Sequence, residues 1–419
     1  MSSKVARARG AGGIRAGPCY DARVWFLWLA LGLALVTVAG LYTRRRVVAA
    51  AAALGMPRRG QRALRWGIAW LLFGYPLIVF ATVAGSLLLG RDRMGGFDGP
   101  IATWGLVYPF FLAVLVVIQA LPYLLVIDAV AWARRIPMGR GRAIAVLAPL
   151  VALAIYTPAR IVWERGDLRW RHHVVHAAGP PGAPPLRIAF VADFQQDSHT
   201  DAGRAAAVMR RIADQHPDLV LSGGDWINMG PAYIAAAART AALAPSRYGT
   251  YSVRGDHDHF AYVDGARSVD AVTAALRARG VEMVHNAVRR FDHHGRSVAV
   301  GFLTYSYPSR ASSAEIERLI GELQGADVRI LVTHQLVADV AARARDRVDL
   351  ILAAHTHGGQ VNPLLGLWHV PLARLETPYV DGRYQLGATT IIVTAGVGYS
   401  IVPFRYASPG SVELVELVW

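Results

Sequence analysis

Uncharged apolar runs fill most of the first 160 residues, and beyond residue 186 they give way to short apolar runs alternating with amphipathic stretches. The long runs predict about four helices, over 24–42, 66–90, 101–127 and 143–159. A helix rises about 1.5 Å per residue, so roughly 20 apolar residues cross the hydrocarbon layer of a membrane. The first three runs meet that length; the fourth is shorter and contains Pro149 and Pro158. Lipid offers backbone groups no hydrogen-bond partner, so such runs must be helical. Trp25, Trp28, Trp66 and Trp132 stand near the run ends, where amphipathic aromatics favour the interface. A buried helical core in a soluble protein and a cleaved signal peptide both fit this pattern less well, because several long runs follow one another and no small-residue cleavage site separates them.

The second half has a different texture. Apolar runs at 186–192, 218–222, 248–253, 297–303, 328–333 and 348–353 read as strands, and 201–216, 231–243, 266–279, 312–323 and 335–344 have helical spacing. The stretch 384–419 is strand-rich. Regular alternation implies a largely parallel sheet covered by helices. The predicted organisation is a multi-span anchor over 1–160, a juxtamembrane connector with a Pro/Gly linker over 161–185, and an α/β domain over 186–419.

The chain of 419 residues carries a net charge of +15, mostly arginine. Arg44, Arg45, Arg46, Arg58, Arg59, Arg62 and Arg65 lie in the first loop and Arg134, Arg135, Arg140 and Arg142 in the third, against Arg91 and Arg93 in the second. This bias reads as a topology signal and as contact with anionic membrane lipids; no nucleic-acid binding is expected from it. Positive-inside logic places loops one and three in the cytoplasm and the C-terminal domain outside it. Lys4, Arg7, Arg9, Arg15 and Arg23 in the N-terminal tail argue the reverse, and the answer flips if the fourth run does not span. The one cysteine, Cys19, allows no disulfide within the chain and no cysteine-based metal site. Asp128 sits at a span end, where an ionisable group needs no functional account.

The chemistry-bearing residues follow directly on predicted strands, where α/β folds place their ligand sites. They are Asp193-Phe194-Gln195, Gly224-Asp225, Gly255-Asp256-His257-Asp258, His334 and His355-Thr356-His357. Taken singly, a strand-terminal aspartate caps helices or closes turns, and a lone histidine is commonly a satisfied polar group. Five such points in order on successive strand ends suit a shared metal centre instead.

In order and spacing these motifs resemble the calcineurin-like metallophosphoesterase superfamily, whose pattern is D-x-H, G-D, G-N-H-D/E, H and G-H-x-H. The resemblance covers about 186–419. The Thr-His-Gly-Gly-Gln continuation, Gly382-Arg383-Tyr384 and the Gly-Val-Gly-Tyr-Ser run at 396–400 resemble the branch that includes membrane-associated bacterial phosphodiesterases. The resemblance implies two packed mixed sheets flanked by helices and hydrolysis of phosphomonoesters or phosphodiesters. The spans predict an integral protein, of the bacterial inner membrane if the resembled branch is followed, and the anchor and basic connector suggest a lipid-linked or envelope-derived substrate. The resemblance also implies two divalent metal ions, with Mn, Fe or Zn suited to mixed N/O ligands. Asp225 would bridge them, Asp193, Gln195 and His357 would complete one site, and Asp256, His334 and His355 the other. A pair of cations activates water near neutral pH and neutralises phosphoryl charge. His257 would serve as general acid or phosphate-oxygen donor, its ring oriented by Asp258.

Three positions depart from the pattern: Gln195 replaces histidine, Asp256 replaces asparagine, and Ala354 replaces glycine. An amide oxygen is a weaker ligand for transition metals than imidazole, and Asp256 adds negative charge to the second site. His199 could substitute for the missing imidazole only if its loop folds back. The alternative reading is a one-metal phosphate-binding module, or a regulatory membrane protein, without turnover. Substrate identity and oligomeric state are not encoded in these motifs.

Overall fold

The computed structural model describes residues 22–89, 99–177, 182–200 and 202–419. Lys4, Arg7, Arg9, Arg15, Cys19, Arg91, Arg93 and residues 178–181 of the Pro/Gly linker lie outside them, as do the side chains of Arg23, Trp25 and Trp28.

The N-terminal region is helical: α1 (Ala22–Ala53), α2 (Arg58–Leu88), the short α3 (Pro100–Ala102), a π-helical turn Thr103–Val107, α4 (Tyr108–Ala133) and α5 (Arg140–Glu164). Among the described residues, three helices are long and apolar enough to cross a membrane: Arg58–Ser86, Thr103–Ala133 and Arg140–Glu164. The run that looked shortest in sequence is thus a continuous helix through Pro149 and Pro158; packed helical neighbours make the lost N–H groups tolerable. The first run lies within α1, which continues through Arg44, Arg45 and Arg46. Asp128 does more than mark a span end. Its carboxylate meets Arg46 Nε at 2.6 Å, Arg142 Nη2 at 2.8 Å and Tyr42 Oη at 2.6 Å, tying α4 to α1 and α5.

The connector at 161–185 is corrected by the structure. Its centre is a strand, β1 (Leu168–His176), which lies parallel to the last strand and belongs to the sheet. Isolated in sequence, its charged and aromatic residues give no clean alternation; pairing with a strand some 240 residues away decides its conformation. Along the chain follow β2 (Leu186–Val191), α6 (Ala202–Ala213), β3 (Leu219–Ser222), α7 (Ile234–Ala241), β4 (Thr250–Ser252), α8 (Gly265–Arg277), β5 (Val281–Met283), β6 (Ala287–His293), β7 (Arg296–Leu303), α9 (Ser313–Leu323), β8 (Val328–Thr333), α10 (Ala338–Ala344) and β9 (Leu350–Ala353). The hairpin β10 (Leu364–Leu365) and β11 (Trp368–His369), then β12 (Gly382–Leu386), β13 (Thr389–Val393) and β14 (Gly410–Val418), complete the domain.

Two six-stranded mixed sheets form, in the orders β1-β14-β2-β3-β4-β5 and β12-β13-β9-β8-β7-β6. Both faces of the central strands are buried. In β2, Leu186, Ile188 and Phe190 pack between the sheets with Phe302, Ile330 and Leu352, while Ala189 and Val191 pack with Met209 and Ile212 of α6. Burial on both sides is why these strands read as continuous apolar runs. Parallel order in β2-β3-β4 and β7-β8-β9-β13 brings their carboxyl ends to one rim.

The domain docks on the helices through a buried polar knot. Gln119 of α4 accepts from Tyr406 Oη at 2.7 Å and from the Leu364 amide at 3.0 Å, and donates to Thr157 of α5 at 3.0 Å. Glu164, at the end of α5, accepts from the Ala407 amide at 2.6 Å.

Candidate metal centre

The candidate ligands follow strand ends, and at five of them the backbone is held in the left-handed region. φ is 54° at Asp193, 42° at Gln195, 59° at Asp225, 74° at His355 and 51° at His357. Such conformations are uncommon outside glycine, and their clustering is typical of functional sites. Two glycines are required by the same packing. Gly224 has φ 90°, and a Cβ there would fall 2.4 Å from the Gly255 nitrogen; a Cβ on Gly255 would fall 2.0 Å from Asp225 Oδ1.

The loops converge. Ligand atoms of Asp256, His334 and His355 lie within 4.8 Å of one another, as do those of Asp193, Asp225 and His334. His334 Nε2 is 3.3 Å from Asp256 Oδ2 and 3.7 Å from Asp225 Oδ2, so it stands between the two groups. Its Nδ1 donates to Gly223 O at 2.7 Å, which leaves Nε2 toward the carboxylates. His355 Nδ1 is 2.7 Å from Asp256 Oδ2. His357 Nε2 lies 3.9 Å from Asp193 Oδ2, at the edge of the cluster. Gln195 donates its amide to Asp225 Oδ2 at 2.9 Å. His199 does not fold back: it contacts Thr103 Oγ1 at 3.5 Å, away from the cluster.

The fit to cations rests on atoms without partners. Asp193 Oδ1, Gln195 Oε1 and His334 Nε2 are buried and make no hydrogen bond among the described residues. Such atoms are costly unless something else satisfies them. The electrostatics agree. Burial pushes the Asp193 carboxyl up to about 7, and the neighbouring charge of Asp225 adds to it. Burial opposes a charged His334, but Asp225 and Asp256 outweigh it and lift the imidazole to about 9. Burial likewise opposes charge on His355, and Asp256 overrides it. Burial and the Arg405 guanidinium hold His357 well below the usual range. Protons thus stabilise a buried surplus of carboxylates that cations would stabilise instead.

His257 and Asp258 have separate jobs. His257 Nδ1 donates to Asn228 O at 2.7 Å, and its Nε2 lies 3.1 Å from Ser400 Oγ at the half-buried rim. The ring is therefore oriented by a backbone carbonyl, which corrects the expectation that Asp258 orients it. Asp258 accepts from the backbone N–H groups of Gly255 at 2.9 Å, Asp225 at 3.0 Å and Trp226 at 3.0 Å. It clamps the Gly-Asp loop to the Gly-Asp-His loop.

Motif reading missed several residues. Glu376 Oε1 lies 3.0 Å from His355 Nε2 and also accepts from Gln335. Arg405, buried, donates to the carbonyls of His357 at 2.9 Å and of Ala395 at 2.7 Å. The Tyr307 amide donates to Asp256 Oδ1 at 2.6 Å. No local signal marks these residues, since each acts on a partner far away in sequence.

The calcineurin-like phosphoesterase family profile matches residues 186–359. A zebrafish (Danio rerio) protein named transmembrane protein with metallophosphoesterase domain is 24% identical over 249 residues, 57% of this chain and 54% of its own. The bovine (Bos taurus) protein of the same name is 26% identical over 57% of this chain and 54% of its own. An uncharacterized metallophosphoesterase of Helicobacter pylori is 23% identical over 56% of this chain and 60% of its own. The chain thus spans little more than half the length of these relatives. Apolar helices and transmembrane relatives together support membrane association. With the family profile, the two mixed sheets and the converging aspartates and histidines in agreement, the C-terminal part of this chain is a calcineurin-like metallophosphoesterase domain.

Proposed function

We propose that the chain is a membrane-anchored, metal-dependent hydrolase of phosphomonoesters or phosphodiesters. The observation that carries this reading is the pair of ligand groups sharing His334, Asp193-Asp225-His334 and Asp256-His334-His355. Asp193, Gln195, Asp225 and His357 would hold one divalent cation, and Asp225, Asp256, His334 and His355 a second. Bound there, such cations make water acidic enough to attack near neutral pH and neutralise charge on the phosphoryl oxygens.

The chain's own residues do the rest. His334 Nδ1 and His355 Nε2 are held by Gly223 O and Glu376, which directs the opposite ring nitrogens inward. His257, fixed through Nδ1 by Asn228 O, presents Nε2 at the rim, where it can donate to a phosphoryl oxygen or to the leaving group. Asp258 keeps the two aspartate loops in register. The test is hydrolysis of bis-p-nitrophenyl phosphate by the purified full chain with Mn²⁺. Turnover that survives Asp225→Ala would remove this site from the reaction.

A second reading draws on Gln195, whose amide donates to Asp225 Oδ2 and so occupies one oxygen of the carboxylate that would be shared between cations. One cation, bound without turnover, would make the domain a phosphate-binding module. Elemental analysis separates the two: about two cations per chain favours hydrolysis, and one favours binding. For topology, the arginine-rich first and third loops favour an inner-membrane protein with its domain outside the cytoplasm. Protease accessibility of the domain in intact cells against spheroplasts decides the side.

A further inference from the structure

A cavity of about 530 Å³ lies between the helices and the domain, apart from the metal cluster. Its walls include Trp104, Tyr108, Arg165, His199, Arg204 and Tyr399. Its position follows from the helix ends. Thr103 opens one candidate span and Glu164 closes another, and α4 packs against α5, so these ends share the face from which the chain passes into β1. Trp104 and Trp163 are 63% and 85% exposed at that level, as aromatics at a membrane–water interface are. The cavity therefore lies at the end of the candidate spans marked by these aromatics.

Its chemistry is divided. Trp104 stacks on Tyr108 at 4.8 Å, and Tyr108 on Phe404 at 6.0 Å, giving an apolar wall continuous with the helices. Arg165, Arg204 and Arg405 line the other side, and no carboxylate is among the described lining residues. Arg165 is exposed, and Arg204 reaches across it, donating to Arg165 O at 3.1 Å and Tyr399 Oη at 2.7 Å. Arg405 is 3% exposed, and its Nε has no partner among the described residues. The volume falls in the range of sites for small ligands, roughly 300–1,000 Å³. Guanidinium groups recognise phosphate through paired donors. The cavity also shares a wall with the metal centre: Arg405 Nη1 holds His357 O at 2.9 Å, and Ser400, next to Tyr399, lies 3.1 Å from His257 Nε2.

We propose that this cavity binds the phosphate-bearing headgroup of a membrane amphiphile, with its apolar part against Trp104 and Tyr108. The proposal deepens the phosphoesterase reading and rests on it for its consequence, which is that substrate reaches the metal centre from the bilayer. Binding itself needs no turnover. The test uses the full chain in nonionic detergent, with Asp225→Ala and EDTA removing the metal centre, titrated calorimetrically with dihexanoyl phosphatidic acid and, separately, inorganic phosphate. The expected result is one saturable site for phosphatidic acid, weakened at least tenfold by Arg165→Ala and by Arg204→Gln, with inorganic phosphate at least tenfold weaker. Absence of saturable binding, affinity unchanged by Arg165→Ala at an exposed position where folding is not at risk, or equal affinity for inorganic phosphate overturns it. Failure of the hydrolase reading is seen separately, as lack of bis-p-nitrophenyl phosphate turnover in the unaltered chain.

Discussion

Replacing Asp258 opposes two effects of similar size, and the structure says which one wins. The carboxylate accepts three backbone N–H groups, from Gly255, Asp225 and Trp226, at 2.9–3.0 Å. Asp258→Ala orphans all three in a buried place, at about 1–3 kcal/mol each. Against this, burial and the Asp225 charge raise the Asp258 carboxyl from 3.8 to about 6. Removing that charge at neutral pH returns about 3 kcal/mol, two pKa units at about 1.4 kcal/mol each. At about 2 kcal/mol for each of the three N–H groups the loss is about 6 kcal/mol, so the net is a loss of about 3 kcal/mol, which for a domain of this size lowers the melting temperature by about 6–12 °C. Asp258→Asn keeps one acceptor oxygen and loses less. The pH dependence follows from the direction of the shift. The folded state holds the proton up to about 6 and the unfolded state only to about 4. This group's contribution is therefore complete below about 4 and lost as pH rises to about 6, so the gap between wild type and Asp258→Asn widens when pH falls from 7.5 to 5. Thermal melts followed by intrinsic fluorescence, with Trp226 buried against Phe194 as one reporter, measure both quantities. A melting temperature for Asp258→Ala within about 1 °C of wild type, or a gap that narrows with falling pH, refutes the clamp; loss of activity alone would instead favour an effect through the His257 ring.

Metal binding to the chain at pH 7 should release protons, because His334 is lifted to about 9 and Asp193 to about 7 while ligands bind deprotonated. Affinity for Mn²⁺ therefore rises with pH between about 7 and 9, and calorimetry in buffers of different ionisation enthalpy checks it; buffer-independent heats refute it. Glu376→Gln removes the anionic partner of His355 Nε2 and should weaken metal binding about 10–100-fold, read by competition with a chelating dye. Tyr406→Phe breaks the buried bond to Gln119 and should loosen domain docking by about 1–2 kcal/mol, seen as faster proteolysis at the junction after Glu164.

Much of the molecule was legible along the chain because it is local. Long apolar runs announce α1, α2, α4 and α5, and strands buried on both faces announce β2, β3, β8 and β9. A parallel sheet carries its strand ends to one rim, which is why Asp193, Asp225, Asp256, His334 and His355, read from separate motifs, lie close together. Other features exist only once the chain has closed on itself. β1 is a strand because β14 pairs with it, and His355 has a second partner because Glu376 arrives from another loop. Asp258 holds backbone rather than the His257 ring because two loops meet too closely for anything else to satisfy their N–H groups. Periodicity and strand-end chemistry repeat over a few residues and can be read in order. Hydrogen bonds between residues as far apart as Gln119 and Tyr406 leave no trace in either segment alone, and only the packing decides them.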